Sequence, residues 1–341
     1  MISEQIHPNK WLKVTPQGLY CTRGDFHIDA SGDPVSTDVV THGHADHARS
    51  GHGRVIATPE TIEIMKTRYG ADCAREFVPI PYGGNIRLGE VEVGFEPAGH
   101  ILGSAQIVMD YAGQRVVCSG DYKRRTDPTC QPFTVVECDV FITEATFGLP
   151  VFCHPDIKLE VAKLVESMRL FPQRCHVVGV YSLGKCQRLI MELRAAGFNR
   201  TIFLHGALLK LCELYQRLGV DLGEIKLVTE SDKPKLGGEL VLCPPSAIND
   251  RWARKMPDVV TSMASGWMQI RARAKQKLVE LPLVVSDHSD WDELLQTIDD
   301  VRCREVWVTH GREEALIHAL GKKGIKARAL SLVGYEEEDN E

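Results

Sequence analysis

Three histidines and an aspartate fall within six residues, His42-Gly43-His44-Ala45-Asp46-His47, directly after the run Asp38-Val39-Val40-Thr41. The run reads as a strand, because two valines and a threonine lie between turn-formers. Beyond it the chain must coil tightly, and the His-x-His-x-Asp-His string then divides its side chains. His42 and His44 can point one way, Asp46 and His47 another, which suits two adjacent metal ions better than one. Imidazole together with carboxylate favours borderline cations, zinc first, with manganese or iron as alternatives. Packing has no use for so many imidazoles in this register.

At 341 residues the chain exceeds what one core usually serves, so two domains, or one with a large insertion, are expected. No apolar run reaches the roughly 18 residues of a membrane span, and Met1 to Lys13 lacks an apolar leader core. A cytoplasmic protein is expected, with no membrane partner. The eleven cysteines are odd in number and contain no Cys-x-x-Cys pair, which favours reduced thiols over a disulfide framework. A net charge of −6 neither announces nor excludes a nucleic-acid partner, since a basic groove can sit on an acidic protein. Part of that charge is a tail, Glu336, Glu337, Glu338, Asp339 and Glu341, with the composition of a disordered segment.

The first 150 residues read as short strands (Val55–Thr58, Ile86–Phe95, Gln106–Tyr111, Arg115–Ser119, Val140–Thr143) with a helix over Pro59–Tyr69. After Pro150, helical spacing over Asp156–Leu170 alternates with a strand His176–Tyr181, a helix Lys185–Ala196, a strand Thr201–Leu204 and a helix Leu208–Leu218. This pattern predicts a parallel α/β unit. A strand at Leu283–Val285, a helix Trp291–Asp299 and a strand Glu305–Thr309 follow. The expected division is residues 1–153 and 281–335 for one domain, 154–280 for an insertion, and 336–341 for the tail.

Further polar groups sit at strand ends. His100 lies in Pro97-Ala98-Gly99-His100-Ile101-Leu102-Gly103-Ser104, where the glycines allow close backbone approach. Asp121 follows the strand Arg115–Ser119, Glu144 ends Val140-Phe141-Ile142-Thr143-Glu144, His288 lies in Ser286-Asp287-His288-Ser289-Asp290, and His310 ends Glu305-Val306-Trp307-Val308-Thr309-His310.

In order and spacing, this set resembles the metallo-β-lactamase superfamily. Glu144, His288 and His310, with Tyr181-Ser182-Leu183-Gly184-Lys185-Cys186-Gln187-Arg188, resemble its nucleic-acid-processing β-CASP branch, related to Artemis and Apollo. The nearest resemblance is to the bacterial DNA-ligase-associated exonucleases, also described as mRNA 3′-end processing factor-like. The Artemis-like arm usually lacks a histidine where this chain has His310. The resemblance covers about residues 15 to 325 and implies an αββα metallo-β-lactamase sandwich with an inserted α/β β-CASP domain.

The resemblance also implies roles. His42, His44 and His100 would hold one divalent ion, Asp46, His47 and His310 the other, and Asp121 would bridge them. Asp38 would orient a ligand histidine, as such supporting carboxylates do. His288 would donate a proton to the leaving oxygen, with Glu144 hydrogen-bonded to it, and Asp46 would share in catalysis. Lys123, Arg124, Arg125, Lys185, Arg271 and Arg273, with Lys275 and Lys277, are candidates for nucleic-acid contacts. The implied activity is metal-dependent phosphodiester hydrolysis, by a DNA exonuclease in DNA repair with a DNA ligase and a helicase as partners. RNA processing is the alternative; a thioester hydrolase or a non-catalytic scaffold is more remote. His7, His27, His52, His154, His176, His205 and His318 match no ligand motif and read as ordinary surface or core residues, and Tyr122, Phe147 and Trp267 as packing.

Overall fold

A computed structural model describes residues 5–333. The acidic tail lies outside the described residues. The chain divides into two compact units, one running to Val151 and resuming at His288, the other Phe152–Asp287.

The first unit is built on two mixed sheets. One has the order Leu12–Thr15, Gly18–Cys21, Phe26–Ile28, Thr37–Val39, Arg54–Ala57, Glu76–Pro79, antiparallel over the first three strands and parallel after. The other has the order Lys326–Ala329, Glu305–Gly311, Val140–Ala145, Gln114–Cys118, Ala105–Tyr111, Val91–Pro97, Asn85–Leu88. Its first four strands are parallel.

Alternation along the strands explains the layering. Trp11, Phe26, Val39 and Ile56 from the first sheet meet Phe95, Ile107, Val116, Ile142 and Trp307 from the second in one buried core. The opposite faces are covered by helices. Ile62 and Met65 of helix Pro59–Tyr69 pack on Val55 and Ala57. Leu294 and Ile298 of Trp291–Asp300, with Leu316 and Leu320 of Glu313–Lys322, pack on Val117, Phe141, Val306 and Val308. The unit is therefore the expected αββα sandwich.

Two expectations need correction. The single strand predicted over Ile86–Phe95 is two, Asn85–Leu88 and Val91–Pro97, because the chain turns back at Gly89–Glu90 and the halves pair antiparallel. The predicted strand Leu283–Val285 ends at Leu283, where its pairing with Ala264 stops.

The second unit carries a six-stranded sheet, every neighbour parallel, in the order Ile225–Leu227, Ile202–Leu204, Leu240–Cys243, Cys175–Gly179, Val259–Ala264, Leu281–Leu283. Leu281–Leu283 is an edge strand of this sheet, so the unit extends past residue 280. Helices Ile157–Leu170, Lys185–Ala195 and Gly206–Arg217 supply the crossovers. No helix among the described residues is long and apolar enough to cross a membrane.

Candidate metal centre

In the first unit the strands that run parallel end at one edge of the sandwich, and the turns beyond them carry the polar groups. Thr37–Val39 leads into the 42–47 string, Gln114–Cys118 into Asp121, while Glu144 and His310 lie within the ends of their own strands. Loops at the carboxyl ends of strands are the usual place for such groups, because the scaffold beneath them is rigid.

Three imidazole nitrogens converge. His44 Nδ1 stands 3.0 Å from His42 Nε2 and 3.0 Å from His100 Nε2. That spacing is close to the edge of a tetrahedron with bonds of about 2.0 Å, the usual zinc–nitrogen length. Asp121 Oδ2 closes the group, at 3.5 Å from His42 Nε2 and 3.8 Å from His100 Nε2. The same oxygen lies 3.4 Å from His47 Nε2 and 3.9 Å from His288 Nδ1. His47, Asp121 and His310 form a second cluster with metal-ligand spacing. One carboxylate oxygen therefore stands between two sets of imidazoles.

His310 reaches this place through a bulge. Glu144 pairs with Thr309 and Ala145 with Gly311, so His310 is left out of the ladder and turns aside with φ 53°. Its ring stacks on His47 with centroids 5.0 Å apart. Gly311 is obligatory there: it has φ 133°, and a Cβ would lie 2.0 Å from the Ala145 carbonyl oxygen. Gly99 does the same beside His100, since a Cβ would fall 2.4 Å from the Lys123 carbonyl oxygen. Ser104 Oγ then accepts the amides of His100 and Ile101 at 3.1 and 3.2 Å and fixes that loop.

Asp46 stands at the rim. Its side chain is 70% exposed and its Oδ2 is 3.8 Å from His47 Nε2, outside the tight clusters. A cavity of about 270 Å³ opens here, lined by Asp46, His47, His310 and Glu313 above apolar Leu19 and Ile142.

The charges fit a cation. Burial and the neighbouring His47 hold His42 well below the usual imidazole range, so it is neutral and able to bind metal. His47 behaves oppositely. Burial opposes its charge, yet the carboxylates of Asp121 and Asp29 outweigh that and push it well above its ordinary value. Burial also opposes ionisation of Asp121, but His47 and His288 hold it well below the carboxylate range. In the metal-free chain a proton on His47 thus supplies the positive charge that this pair of carboxylates demands. His47 Nε2 is buried and has no hydrogen-bond partner among the described residues. A buried imidazole nitrogen beside an anionic oxygen fits a cation, and metal binding there would release the proton.

The orienting carboxylate is Asp29, not Asp38. Asp29 Oδ2 accepts His47 Nδ1 at 2.7 Å and Thr41 Oγ1 at 2.6 Å, while Oδ1 accepts the Thr41 amide at 2.7 Å. Thr41 Oγ1 is in turn 3.0 Å from His42 Nδ1. Both ligand rings are thereby held by Nδ1, with Nε2 turned to the site. Among the described residues, Asp38 makes no hydrogen bond or ion pair with a ligand histidine. It lies deeper, against Ala30 and His52. Sequence reasoning missed Asp29 because a lone aspartate after Phe26–Ile28 reads as a turn residue.

Glu144 and His288 meet as expected. Buried Glu144 accepts His288 Nδ1 at Oε2 (2.9 Å) and the Tyr122 amide at Oε1 (2.8 Å).

The basic candidates divide. Lys123 is 2% exposed, and its Nζ donates to the His288 carbonyl at 2.9 Å and to Glu293 at 3.0 Å. Arg124 pairs with Asp300 at 2.7 Å beneath Phe133, and Arg125 with Asp290 and Glu293 at 2.6 and 3.2 Å. In the second unit Lys185 is buried against Asp287 at 2.8 Å. These four brace their own units and are withdrawn as groove residues. Arg271, Arg273, Lys275 and Lys277 are exposed, around a six-residue helix anchored by Ala274. Tyr122 and Phe147 are buried as expected. Breaking a buried ion pair leaves an uncompensated charge. Lys123→Ala is therefore expected to lower stability by about 3–5 kcal/mol, measured by denaturant titration. An unshifted midpoint would return Lys123 to a surface role.

No family model matches the chain. A "Probable DNA ligase" of Opitutus terrae is 27% identical over 331 residues, covering 94% of this chain and 31% of that protein. Ribonuclease TTHA0252 of Thermus thermophilus is 31% identical over 153 residues, 36% of this chain and 35% of its own. Endoribonuclease ysh1 of Emericella nidulans is 36% identical over 101 residues, 28% of this chain and 11% of its own. The chain thus spans about a third or less of these curated relatives. Among solved structures, a protein of unknown function from Enterococcus faecalis matches with a TM-score of 0.60 at 12% identity, over 88% of this chain and 80% of that one. That likeness concerns the fold.

Proposed function

The chain belongs to the β-CASP nuclease branch of the metallo-β-lactamase superfamily, and from that premise we propose that it hydrolyses phosphodiester bonds of nucleic acid with two divalent ions, most simply zinc. The observation that carries the reading is the position of Asp121 Oδ2, within 3.9 Å of four imidazole nitrogens. His42, His44, His100 and Asp121 would hold one ion, and His47, His310 and Asp121 the other, with Asp46 at the rim. Such ions polarise a phosphoryl oxygen and make water a nucleophile at neutral pH.

The remaining work falls to the chain's own groups. Glu144 accepts a hydrogen bond from His288 Nδ1 and fixes the ring, which leaves Nε2 as the atom that hands a proton to the departing oxygen. Glu144 is itself held by the Tyr122 amide, one residue from Asp121, so acid and ligand are set by the same turn.

DNA is the proposed substrate and exonucleolytic repair the proposed setting, in the cytoplasm and with a DNA ligase as functional partner. The support is the ligase-named relative, which matches along 94% of this chain. The helicase association rests on resemblance alone. RNA is the second reading, favoured by the relatives named ribonucleases. Digestion of labelled single-stranded DNA, duplex DNA and RNA by the purified chain with zinc or manganese decides between them; cleavage confined to RNA overturns the DNA reading.

Arg271 and Arg273, with Lys275 and Lys277, are proposed to contact the phosphate backbone. For single strands, log affinity falls with log salt at about −0.7 per neutralised phosphate. Reversing Arg271 and Arg273 to Glu is expected to weaken binding and flatten that slope, with hydrolysis of bis-p-nitrophenyl phosphate unchanged. An unaltered slope in the folded double mutant assigns the run to a solvated helix face.

A further inference from the structure

Asp38 takes no part in the site described above, yet it is fully buried. Burial, and the charge of Asp29, push its carboxyl well above the usual carboxylate range. An apolar side chain in this strand would escape that cost. Its contacts indicate what it holds.

Asp38 Oδ1 accepts the amide of Ala30 at 3.0 Å. Ala30 follows Asp29, which has φ 49°, a left-handed conformation that a non-glycine residue keeps only where its surroundings over-determine it. Here they act from both sides. The Asp29 amide donates to the Val39 carbonyl at 3.2 Å, and the next amide donates to Asp38. The product of the turn is the direction of the Asp29 carboxylate, which takes His47 Nδ1, Thr41 N and Thr41 Oγ1 together.

On its other side Asp38 Oδ2 faces His52 Nε2 at 3.6 Å, and neither atom has a hydrogen-bond partner among the described residues. His52 Nδ1 accepts the Val35 amide at 3.2 Å. The loop bearing His42, His44 and His47 leaves the strand Thr37–Val39 and re-enters the sheet at Arg54. Its beginning and its end therefore close on one buried carboxylate.

We infer that Asp38, braced by His52, is a positioning residue for the second ion: it fixes the turn at Asp29 and thereby aims His47. The inference rests on the metal reading above, because it concerns how one ligand is aimed. It also gives His52 a use that its lack of a ligand motif did not suggest.

The test compares wild type with Asp38→Ala, Asp38→Asn and His52→Ala. Two readouts are needed: zinc content and affinity by chelator competition, and the His47 Nδ1 proton resonance of the metal-free protein. Asp38→Ala is expected to keep the first ion, bind the second about 10–100-fold more weakly, and lose the slowly exchanging Nδ1 proton. Asp38→Asn keeps an acceptor for the Ala30 amide and should restore both readouts. His52→Ala should shift them in the direction of Asp38→Ala, and it decides alone if Asp38→Ala does not fold. Wild-type behaviour of the folded variants overturns the inference, and so does equal weakening of both ions without rescue by Asn. Either result leaves the metal reading standing, whereas a wild-type chain that binds no ion overturns both.

Discussion

Asp121→Ala is expected to strip the protein of both ions and take phosphodiester hydrolysis to background, a larger loss than the roughly 10²–10⁴-fold carried by one acid–base group. The reason is geometric. Its Oδ2 lies within 3.9 Å of nitrogens of all four of His42, His47, His100 and His288. Without it, the first cluster is three imidazoles, and the second is His47 and His310 with the exposed Asp46 at the rim and Asp29 engaged on the far nitrogen of His47. Asp121→Asn sharpens the point, because it keeps the size and one oxygen but removes the charge. It should fold normally, retain the first ion weakly and lose the second. Metal content by elemental analysis and turnover of bis-p-nitrophenyl phosphate check both variants. Undiminished wild-type activity after exhaustive chelation would sink the mechanism.

Much of this centre was legible in the chain because its ligands are local. His42, His44 and His47 lie in one turn, and His100 and Asp121 sit in glycine-flanked turns beside predicted strands. The αββα layering came with the resemblance to the metallo-β-lactamase superfamily; the short strands separated by turn residues agreed with it but did not specify it. What escaped reading was set by contacts remote in the chain. Lys123 follows a ligand and looks like a phosphate contact, but Glu293, 170 positions away, takes its charge. Lys185 likewise turns to Asp287. The orienting role went to Asp38 because it immediately precedes the histidine string. A left-handed turn instead brings Asp29 to His47, and no periodicity announces such a turn. The hairpin at Gly89–Glu90 is hidden inside one alternating stretch, because a two-residue turn barely interrupts the alternation.

His288 and His310 should separate in a way that tests the division of labour. Both end near Asp121, but by different supports. His288 is held through Nδ1 by buried Glu144 and lies outside the two clusters proposed for the ions, His42–His44–His100–Asp121 and His47–Asp121–His310. His288→Ala is therefore expected to keep its full metal content and lose about 10²–10⁴-fold in rate, the span of a missing general acid. The loss should shrink for substrates with a good leaving group such as p-nitrophenolate, which departs without a proton. Glu144→Gln should follow it more mildly, since the ring remains but its Nδ1 partner is no longer a carboxylate. His310→Ala removes one of the three groups proposed to hold the second ion and the ring that stacks on His47. It should lower metal content toward one ion per chain and lose activity with every leaving group alike. Excess metal should restore part of that activity in His310→Ala and none in His288→Ala. An empty site in His288→Ala, with both sites filled in His310→Ala, would exchange the two roles.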